Sequence, residues 1–303
     1  MKDNIKVTIG QVKHIGNFED LMNINQRIRY KDPEKQLESV FKVIESAKLE
    51  SADFVVLPEL FLPREYLYKH IKAICEDTGL IIIGGLEYGP SFIPESNRTI
   101  PLENRAFVAI PNSVAKKGII LNSKEPVYST IIETPKIFPA DEENEFIEKS
   151  GYQFLNGNRI YIFKSSVFGN WAVLICVDFL NLPIQALLQG EIQTLFIVAY
   201  NIDVEYYISL ADSMHRILLC NVVICNTGKI GGSLSFTPYR TPHLRNAFQV
   251  KGNNIDAFIT VQLPIKRIYQ AQNEENIDAA IFKEEPKLIR RPPDFKKFRI
   301  ISK

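Results

Sequence analysis

The sequence has little of what marks a disulfide-rich, metal-binding or nucleic-acid-binding protein. It contains 4 cysteines in 303 residues, and 36 basic side chains stand against 35 acidic ones. So few cysteines argue against a disulfide scaffold, and their positions lack the paired spacing of metal ligands. A net charge of +1 offers nucleic acid and acidic membranes no overall attraction. We therefore expect a globular protein that does not bind membranes and in which any contact with nucleic acid would have to be local, for example through the basic residues near the end of the sequence.

Long apolar runs are missing as well. No stretch approaches the length of a membrane-spanning helix, and the polar residues near the start leave no apolar core of a signal peptide. Together with the scarcity of cysteine, this favours a soluble protein of the reducing cytoplasm. The hydrophobic content of 46% is enough to bury a full core.

The apolar residues that are present alternate between strand and helix spacing. Residues 5–11 alternate as a strand does, residues 33–49 carry apolar positions at helical spacing, and residues 53–59 form an apolar run of strand length. The same alternation continues to about residue 265. We therefore predict one α/β domain over residues 1–270, followed by a polar, basic tail over residues 271–303.

One long segment breaks this alternation. Residues 112–158 are rich in charge, proline and glycine, and we predict an irregular stretch there. Loops of that length inside compact domains are usually functional or disordered. Because this segment carries Lys136, the functional interpretation is favoured.

Three reactive side chains stand at or between the ends of predicted elements. Cys176 ends an apolar strand, Glu59 ends another, and Lys136 lies between them in the sequence. A thiol is only a few per cent ionised at neutral pH, so it needs a base or a positive neighbour to become a good nucleophile. An acid, an amine and a thiol in such positions are the parts needed for acyl transfer through a thioester.

The segments around these residues resemble the motifs of the carbon-nitrogen hydrolase family, also called the nitrilase superfamily. Residues 52–60 resemble its acid motif, residues 135–139 its lysine motif and residues 174–178 its nucleophile motif. Residues 231–238 are similar to the glycine-serine strand that follows the catalytic half. The resemblance covers about residues 5–265 and implies a four-layer α-β-β-α sandwich, with two mixed sheets face to face and helices outside.

The resemblance also implies roles for individual residues. Cys176 is the expected nucleophile, Glu59 the base and acid, and Lys136 the partner of the oxyanion and the thiolate. Glu59 would accept the thiol proton and return it to the leaving amine. The backbone N–H of Val177 is a candidate second oxyanion donor, which is typically worth about 3–4 kcal/mol in the transition state. Asp178 completes the nucleophile motif as a supporting residue.

Two of these assignments have rivals. Lys124 competes with Lys136 for the lysine position, since both lie in the same charged segment. Members of the family often carry a second glutamate that orients the lysine. Glu143 fits that position best, and Glu142 and Glu145 are close rivals.

The segment after the nucleophile departs from the family pattern. Residues 179–183 contain no arginine, which the family commonly carries there, so substrate recognition is expected to be unusual. Tyr200 and Asn201 follow the next strand and are candidate substrate-binding residues. Capping of the following helix is the slightly better-supported explanation for the polar groups there. Asn104 and Arg105 are interpreted as turn residues.

These features predict a thiol-dependent, amidase-like hydrolase. It would cleave a carbon-nitrogen bond of a small molecule, amide or carbamoyl in preference to nitrile, through a Cys thioester. The resemblance implies no metal or organic cofactor, and the glycine pairs match no nucleotide-binding pattern. It also implies a homodimer or a larger homo-oligomer. The alternative is a catalytically silent module of the same fold that binds a small molecule or a partner protein.

Overall fold

The computed structural model describes residues 1–15, 22–24, 27–30, 32–90, 100–112, 128–273, 280–292 and 295. The strands β1 to β17 are, in chain order, Asn4–Gln11, Met22–Ile24, Arg27–Arg29, Phe54–Val56, Ile81–Gly85, Gly89–Pro90, Ile100–Glu103, Arg105–Pro111, Ser129–Pro135, Tyr152–Phe154, Ile162–Ser165, Gly169–Ile175, Thr194–Val198, Asn221–Cys225, Leu234–Phe236, Asn246–Gln249 and Ala257–Pro264. The α-helices α1 to α7 are Pro33–Leu49, Lys72–Thr78, Asp141–Lys149, Leu182–Leu188, Val204–Ile217, Pro242–Arg245 and Lys266–Asn273. A π-helical turn, Leu67–Ile71, precedes α2, and 3₁₀ turns span Cys176–Leu180 and Ala280–Phe282.

Two six-stranded sheets form the centre of the fold. The first has the strand order β17-β1-β4-β5-β8-β9, and the second has the order β11-β12-β13-β14-β15-β16. Both are mixed: β1, β4 and β5 run parallel, as do β12, β13 and β14, while the strands that flank them pair antiparallel. The parallel strands of each sheet therefore send their carboxyl ends to one edge, where ligand sites of α/β folds usually lie.

Aromatic side chains fill the space between the two sheets. Phe54 of β4 stacks on Phe196 of β13 at a centroid distance of 5.3 Å. Phe54 also makes T-shaped contacts with Phe168 and Trp171, at 5.5 and 5.4 Å. All four rings are buried. Since such face-to-face packing of two sheets makes the inner layer of a sandwich, the predicted arrangement of the sheets is confirmed.

Helices cover the outer faces of both sheets. Helix α1 begins at Pro33, which suits a first helical position because it has no N–H to leave unpaired, and Asp32 Oδ1 accepts the N–H of Lys35 at 3.3 Å. Its buried residues recur at helical spacing against the first sheet: Leu37, Val40, Val43, Ile44 and Ala47. Helices α4 and α5 pack on the second sheet through Ile184, Leu188, Tyr207, Ala211 and Met214. The four-layer α-β-β-α sandwich is thus confirmed. None of the helices in the described ranges is both long and apolar enough to cross a membrane.

The prediction of an irregular stretch over residues 112–158 is wrong for the part that the structure describes. Strand β9 pairs antiparallel with β8, helix α3 follows, and β10 pairs parallel with β7. The sequence signal is weak because β9 lies at the edge of its sheet and most of its residues are only half-buried, so it lacks the continuous apolar run of a central strand. Residues 113–127, which include Lys124, lie outside the described residues.

The chain beyond residue 270 packs on the domain where it is described. Ile281, Phe282 and Leu288 are buried and join Leu219 in one hydrophobic cluster. These three apolar side chains are interspersed with charged residues, which gives the segment its polar composition. The domain boundary stays a prediction, but the described part of the expected tail is not a solvated extension. Most of the basic stretch lies outside the described residues.

Candidate active site

Glu59 stands at the carboxyl edge of the first sheet, in the loop that follows β4. Its side chain is 3% exposed, and its N–H donates to Ala199 O, at the end of β13, at 3.4 Å. Glu59 Oε1 accepts hydrogen bonds from Lys136 Nζ and Asn104 Nδ2, both at 2.8 Å. Oε2 accepts the N–H of Tyr200 at 2.8 Å. Since donors hold both oxygens, the carboxylate is fixed in one orientation.

Lys136 follows strand β9 and reaches into the same site. Its side chain is 2% exposed, and Nζ lies between the carboxylates of Glu59 and Glu143, in hydrogen-bond contact with both. Burial by itself lowers the pKa of Lys136, but the charges of the two carboxylates outweigh burial and hold the pKa above its usual value. The ammonium group therefore stays charged at neutral pH.

Asn104 and Tyr88 complete the network around the two carboxylates. Asn104 Nδ2 donates to Glu59 Oε1 at 2.8 Å and to Glu143 Oε1 at 2.7 Å. The hydroxyl of Tyr88 donates to Glu143 Oε1 at 3.0 Å. The interpretation of Asn104 as a turn residue misses this contact, and the one sequence signal for it is its position at the start of a predicted strand. Tyr88 follows β5 and carries no pattern that would single it out.

Glu143 is the glutamate that the structure joins to Lys136. It lies in the first turn of helix α3, and its Oε2 also accepts the N–H of Ala140 at 3.2 Å. The rival Glu145 is exposed and pairs with Lys149 on the outer face of the same helix, at 2.6 Å. The rival Glu142 is exposed and lines the mouth of the pocket described below.

Cys176 lies where strand β12 turns into the 3₁₀ segment. Its backbone has a φ of 47°, in the left-handed region that side chains other than glycine rarely adopt. Such strained positions cluster at functional sites. The residue is 5% exposed, and Sγ lies 3.5 Å from the hydroxyl of Tyr207. Burial, with the charge of Glu59, raises the pKa of the thiol to about 12, while Lys136 and Tyr207 oppose this, so the resting side chain is a neutral thiol.

Asp178 binds the backbone of the residues that follow Lys136 and is not among the residues that line the pocket described below. Its carboxylate accepts the N–H of Ile137 at 3.0 and 3.1 Å and the N–H of Phe138 at 3.0 Å. Burial raises the pKa of Asp178 to about 7, and these two amides oppose the shift. Asp178 thereby ties the turn after Cys176 to the loop that carries Lys136.

The two candidate substrate-binding residues have different positions. Tyr200 lines the pocket and donates its backbone N–H to Glu59 Oε2. Asn201 turns away: its Oδ1 accepts the N–H of Asp203 at 3.1 Å, and its Nδ2 donates to Asp203 O at 3.0 Å. Asp203 in turn caps helix α5. The pocket lining, within the described part of the chain, does not include Asn201, so the capping explanation fits it.

His14 forms a hydrogen bond with the backbone of the loop that carries Glu59. Its Nε2 lies 2.8 Å from Glu59 O, and its Nδ1 lies 2.8 Å from Thr227 Oγ1. Burial lowers the pKa of His14 to about 3, so the ring is neutral. Because a carbonyl oxygen can only accept, Nε2 carries the proton and Nδ1 accepts from the threonine hydroxyl. No local sequence pattern singles out His14, since its partners are distant in the chain.

A pocket of about 320 Å³ joins these groups. Its lining combines the charged cluster with apolar side chains: Glu59, Leu60, Tyr88, Lys136, Ala140, Glu142, Glu143, Phe146, Cys176, Tyr200 and Ile202. Glu59, Lys136, Glu143 and Cys176 thus face one space, whereas Asp178 lies beside it. A thiol, a buried carboxylate and a buried ammonium group at one pocket are able to perform nucleophilic acyl chemistry. In the described ranges, no group of three or more His, Cys, Asp or Glu side chains is placed so that it could hold a metal ion.

Comparisons with known proteins point to one fold. No family model matches the sequence, and no curated protein matches it either. Among solved structures, an amidase from Nesterenkonia sp. is similar with a TM-score of 0.59 and 14% identity, over 91% of this chain and 95% of that chain. Saccharomyces cerevisiae Nit3, a member of branch 10 of the nitrilase superfamily, has a TM-score of 0.62 and 14% identity, over 92% of this chain and 97% of that chain. The chain therefore has the fold of the nitrilase superfamily.

Proposed function

We propose that the protein is a carbon-nitrogen hydrolase that cleaves a small amide through a thioester on Cys176. The observation that carries this proposal is the position of Lys136 Nζ between the carboxylates of Glu59 and Glu143, in the pocket that Cys176 lines. Burying three charged groups together costs free energy of folding, and clusters of this kind are concentrated at functional sites. Amide or carbamoyl substrates are favoured over nitriles, because the similar solved structures include amidases.

In the first half of the reaction, Glu59 accepts the proton of the Cys176 thiol as Sγ attacks the carbonyl carbon of the substrate. The carbonyl oxygen becomes an oxyanion, which Lys136 Nζ and the N–H of Val177 stabilise. The C–N bond then breaks, and Glu59 returns its proton to the leaving nitrogen. Ammonia or an amine departs, and the acyl group stays on Sγ as a thioester.

In the second half, water attacks the thioester carbon while Glu59 accepts one of its protons. The tetrahedral intermediate collapses, the C–S bond breaks, and the proton on Glu59 returns to the sulfur. The products are a carboxylic acid and the free thiol. Glu143, Asn104 and Tyr88 do not enter these steps; they hold Lys136 and Glu59 in position.

The pocket favours a small substrate with an apolar acyl part. A volume of about 320 Å³ lies at the lower end of the range for small-molecule sites. Leu60, Phe146 and Ile202 contribute apolar lining. Mutants of the amidase from Nesterenkonia sp. AN1 have been solved in complex with acrylamide and with butyramide, so these compounds are suitable first probes.

The test is release of ammonia from butyramide, acrylamide, carbamoyl compounds and nitriles, with intact-mass detection of the acyl-enzyme. We expect the wild type to release ammonia from at least one amide, and Cys176→Ala to release none and to form no adduct. The variant retains three buried cysteines, so it controls for reaction at other thiols. Lys149→Met, at an exposed position on α3, should behave as the wild type.

The silent binding module is the competing function. Burial of Cys176 and the raised pKa of its thiol favour it, because a resting thiol reacts slowly. Acrylamide adds to the active-site cysteine in a mutant of the Nesterenkonia amidase, which makes it a useful probe here. If neither acrylamide nor iodoacetamide modifies Cys176 in the folded protein, and no substrate releases ammonia, the hydrolase proposal is wrong.

A further inference from the structure

A tyrosine from the second sheet's outer layer touches the sulfur of Cys176. Tyr207 lies in the first turns of helix α5, is 4% exposed, and brings its hydroxyl to 3.5 Å from Sγ. Together with Ala211, Met214 and His215, it forms the buried stripe of that helix, at the spacing that faces a helix to a sheet. The stripe fixes the ring, and the hydroxyl projects from it to the reacting atom.

The direction of this hydrogen bond follows from the protonation of its two partners. Burial, with the charge of Cys176 and its hydrogen bond, raises the pKa of Tyr207 far above neutral, so the hydroxyl keeps its proton. In the resting enzyme either group is able to donate. Once the thiol has lost its proton, the sulfur can only accept, and the phenol O–H must be the donor. Hydrogen bonds to a charged acceptor are stronger than those between neutral groups, so the contact favours the thiolate.

The other charged groups near the sulfur leave a need for such a donor. Glu59 and Glu143 raise the pKa of Cys176, and Lys136 lowers it. The Lys136 ammonium is shared between those two carboxylates, and after Glu59 has taken the thiol proton it still pairs with Glu143, so its charge is not available to the thiolate alone. Asp178, in the same turn as Cys176, adds a further carboxyl group near Tyr207.

We propose that Tyr207 is a further catalytic residue, whose hydroxyl donates a hydrogen bond to the Cys176 thiolate and stabilises it when Glu59 takes the proton. The inference rests on the proposed role of Cys176 as nucleophile. The resemblance to the nitrilase superfamily implies catalytic roles for an acid, a lysine and a thiol. Tyr207 is an additional residue, which helix α5 brings to the site in this chain.

The neighbouring tyrosine provides a matched control. Tyr206 is 50% exposed and precedes Tyr207 on the helix, so Tyr206→Phe removes the hydroxyl of a half-exposed ring. Tyr207→Phe removes only the hydroxyl at the sulfur and keeps the ring, which makes a T-shaped contact with Phe179 at 6.1 Å. The two variants differ from the wild type by one oxygen each.

The experiment measures the rate at which iodoacetamide alkylates Cys176 between pH 6 and 10, by intact mass on the full chain. Cys176→Ala gives the background from the other thiols. Loss of one charge-assisted hydrogen bond lowers the thiolate fraction by about tenfold or more. A thiolate whose thiol has a higher pKa is also the better nucleophile. This increase in reactivity offsets about half of the lower thiolate fraction, on a logarithmic scale. We therefore expect alkylation of Tyr207→Phe to be about three- to tenfold slower than in the wild type at each pH, and Tyr206→Phe to match the wild type.

The outcomes separate this inference from the proposed function. If the wild type and Tyr207→Phe are alkylated at the same rates across the pH range, the role of Tyr207 is overturned and that of Cys176 stands. If Cys176 is not alkylated in the wild type at any pH, the nucleophile itself is overturned, and the role of Tyr207 with it. Partial unfolding would expose the thiol and speed up alkylation, so a poorly folded variant cannot imitate the expected slowing.

Discussion

Replacing Lys136 by methionine should destabilise the folded protein, and the structure sets the size of the effect. The side chains of Lys136, Glu59 and Glu143 are 2, 3 and 9% exposed. Methionine has nearly the length of lysine, so the change removes the charge and the three N–H donors with little change in packing. Removing one member of a buried ion pair costs about 3–5 kcal/mol, because the partner is left with an unpaired buried charge. We expect Lys136→Met to lose stability in that range at pH 8.

A second substitution tests the cause of this deficit. In the variant, the carboxylates of Glu59 and Glu143 share one amide donor, Asn104 Nδ2, at 2.8 and 2.7 Å. Without the ammonium group between them, their like charges repel each other. The double variant Lys136→Met with Glu143→Gln, which carries one carboxylate fewer, should recover part of the loss at pH 8.

Urea unfolding followed by tryptophan fluorescence measures these differences. The chain has a single tryptophan, Trp171, which is 4% exposed between the two sheets and so reports the loss of the central core. Lys149→Met is the control: its ion pair with Glu145 is 72 and 63% exposed, and exposed pairs contribute less than about 1 kcal/mol. A Lys136→Met variant whose stability lies within 1 kcal/mol of the wild type at pH 8 would refute the charge argument.

Three further predictions concern strain, packing and pH. Cys176 has a φ of 47°, which glycine adopts freely and alanine does not. We therefore expect the free energy of unfolding, measured by urea unfolding, to be about 1 kcal/mol higher for Cys176→Gly than for Cys176→Ala. A more stable alanine variant would contradict the proposed backbone strain. A Cβ on Gly85 would lie 2.2 Å from Leu60 N, so Gly85→Ala should displace the loop that carries Glu59. We expect the variant to lose about 1–3 kcal/mol of folding stability and to release no ammonia. An unaltered rate of ammonia release would show that the loop tolerates the shift. Burial lowers the pKa of His215 to about 4, below its value of about 6.5 in an unfolded chain. Between these two values the unfolded state binds more protons than the folded state. Stability should therefore fall as the pH drops from 6.5 to 4, by up to about 1.4 kcal/mol per pH unit. His215→Gln should flatten that part of the pH profile of the urea midpoint and the exposed-site control His243→Gln should not, whereas equal profiles for both would contradict it.

The apolar pattern of the sequence predicts an alternating α/β domain and places Glu59 and Cys176 at the ends of strands, whereas the four layers are implied by the resemblance to the nitrilase superfamily. Apolar periodicity is a local property, so the strand before Glu59, the strand before Cys176 and the helix over residues 33–49 are all readable from neighbouring residues. Glu59 and Cys176 are visible because each ends an apolar run, and Lys136 is visible through the resemblance of residues 135–139 to the lysine motif. The same reasoning failed over residues 128–158, where an edge strand and an amphipathic helix carry few buried residues.

The tertiary structure decides which distant groups meet. Asn104 is 45 residues from Glu59 and 39 from Glu143 in the chain, and it reaches both because Arg105 of β8 pairs with Pro135 of β9, which sets Asn104 beside Lys136. No local pattern encodes that register.

The same distinction separates the residues around the nucleophile. The sequence shows that a thiol follows an apolar strand, but the contact between Cys176 and Tyr207 spans 31 residues and depends on how helix α5 packs on its sheet. Asn201 was a candidate ligand by its position after a strand, and its side-chain direction alone assigns it to a turn with Asp203. Periodicity determines which face of an element is buried, whereas contacts across sheets and between layers depend on register and packing, which are properties of the whole chain.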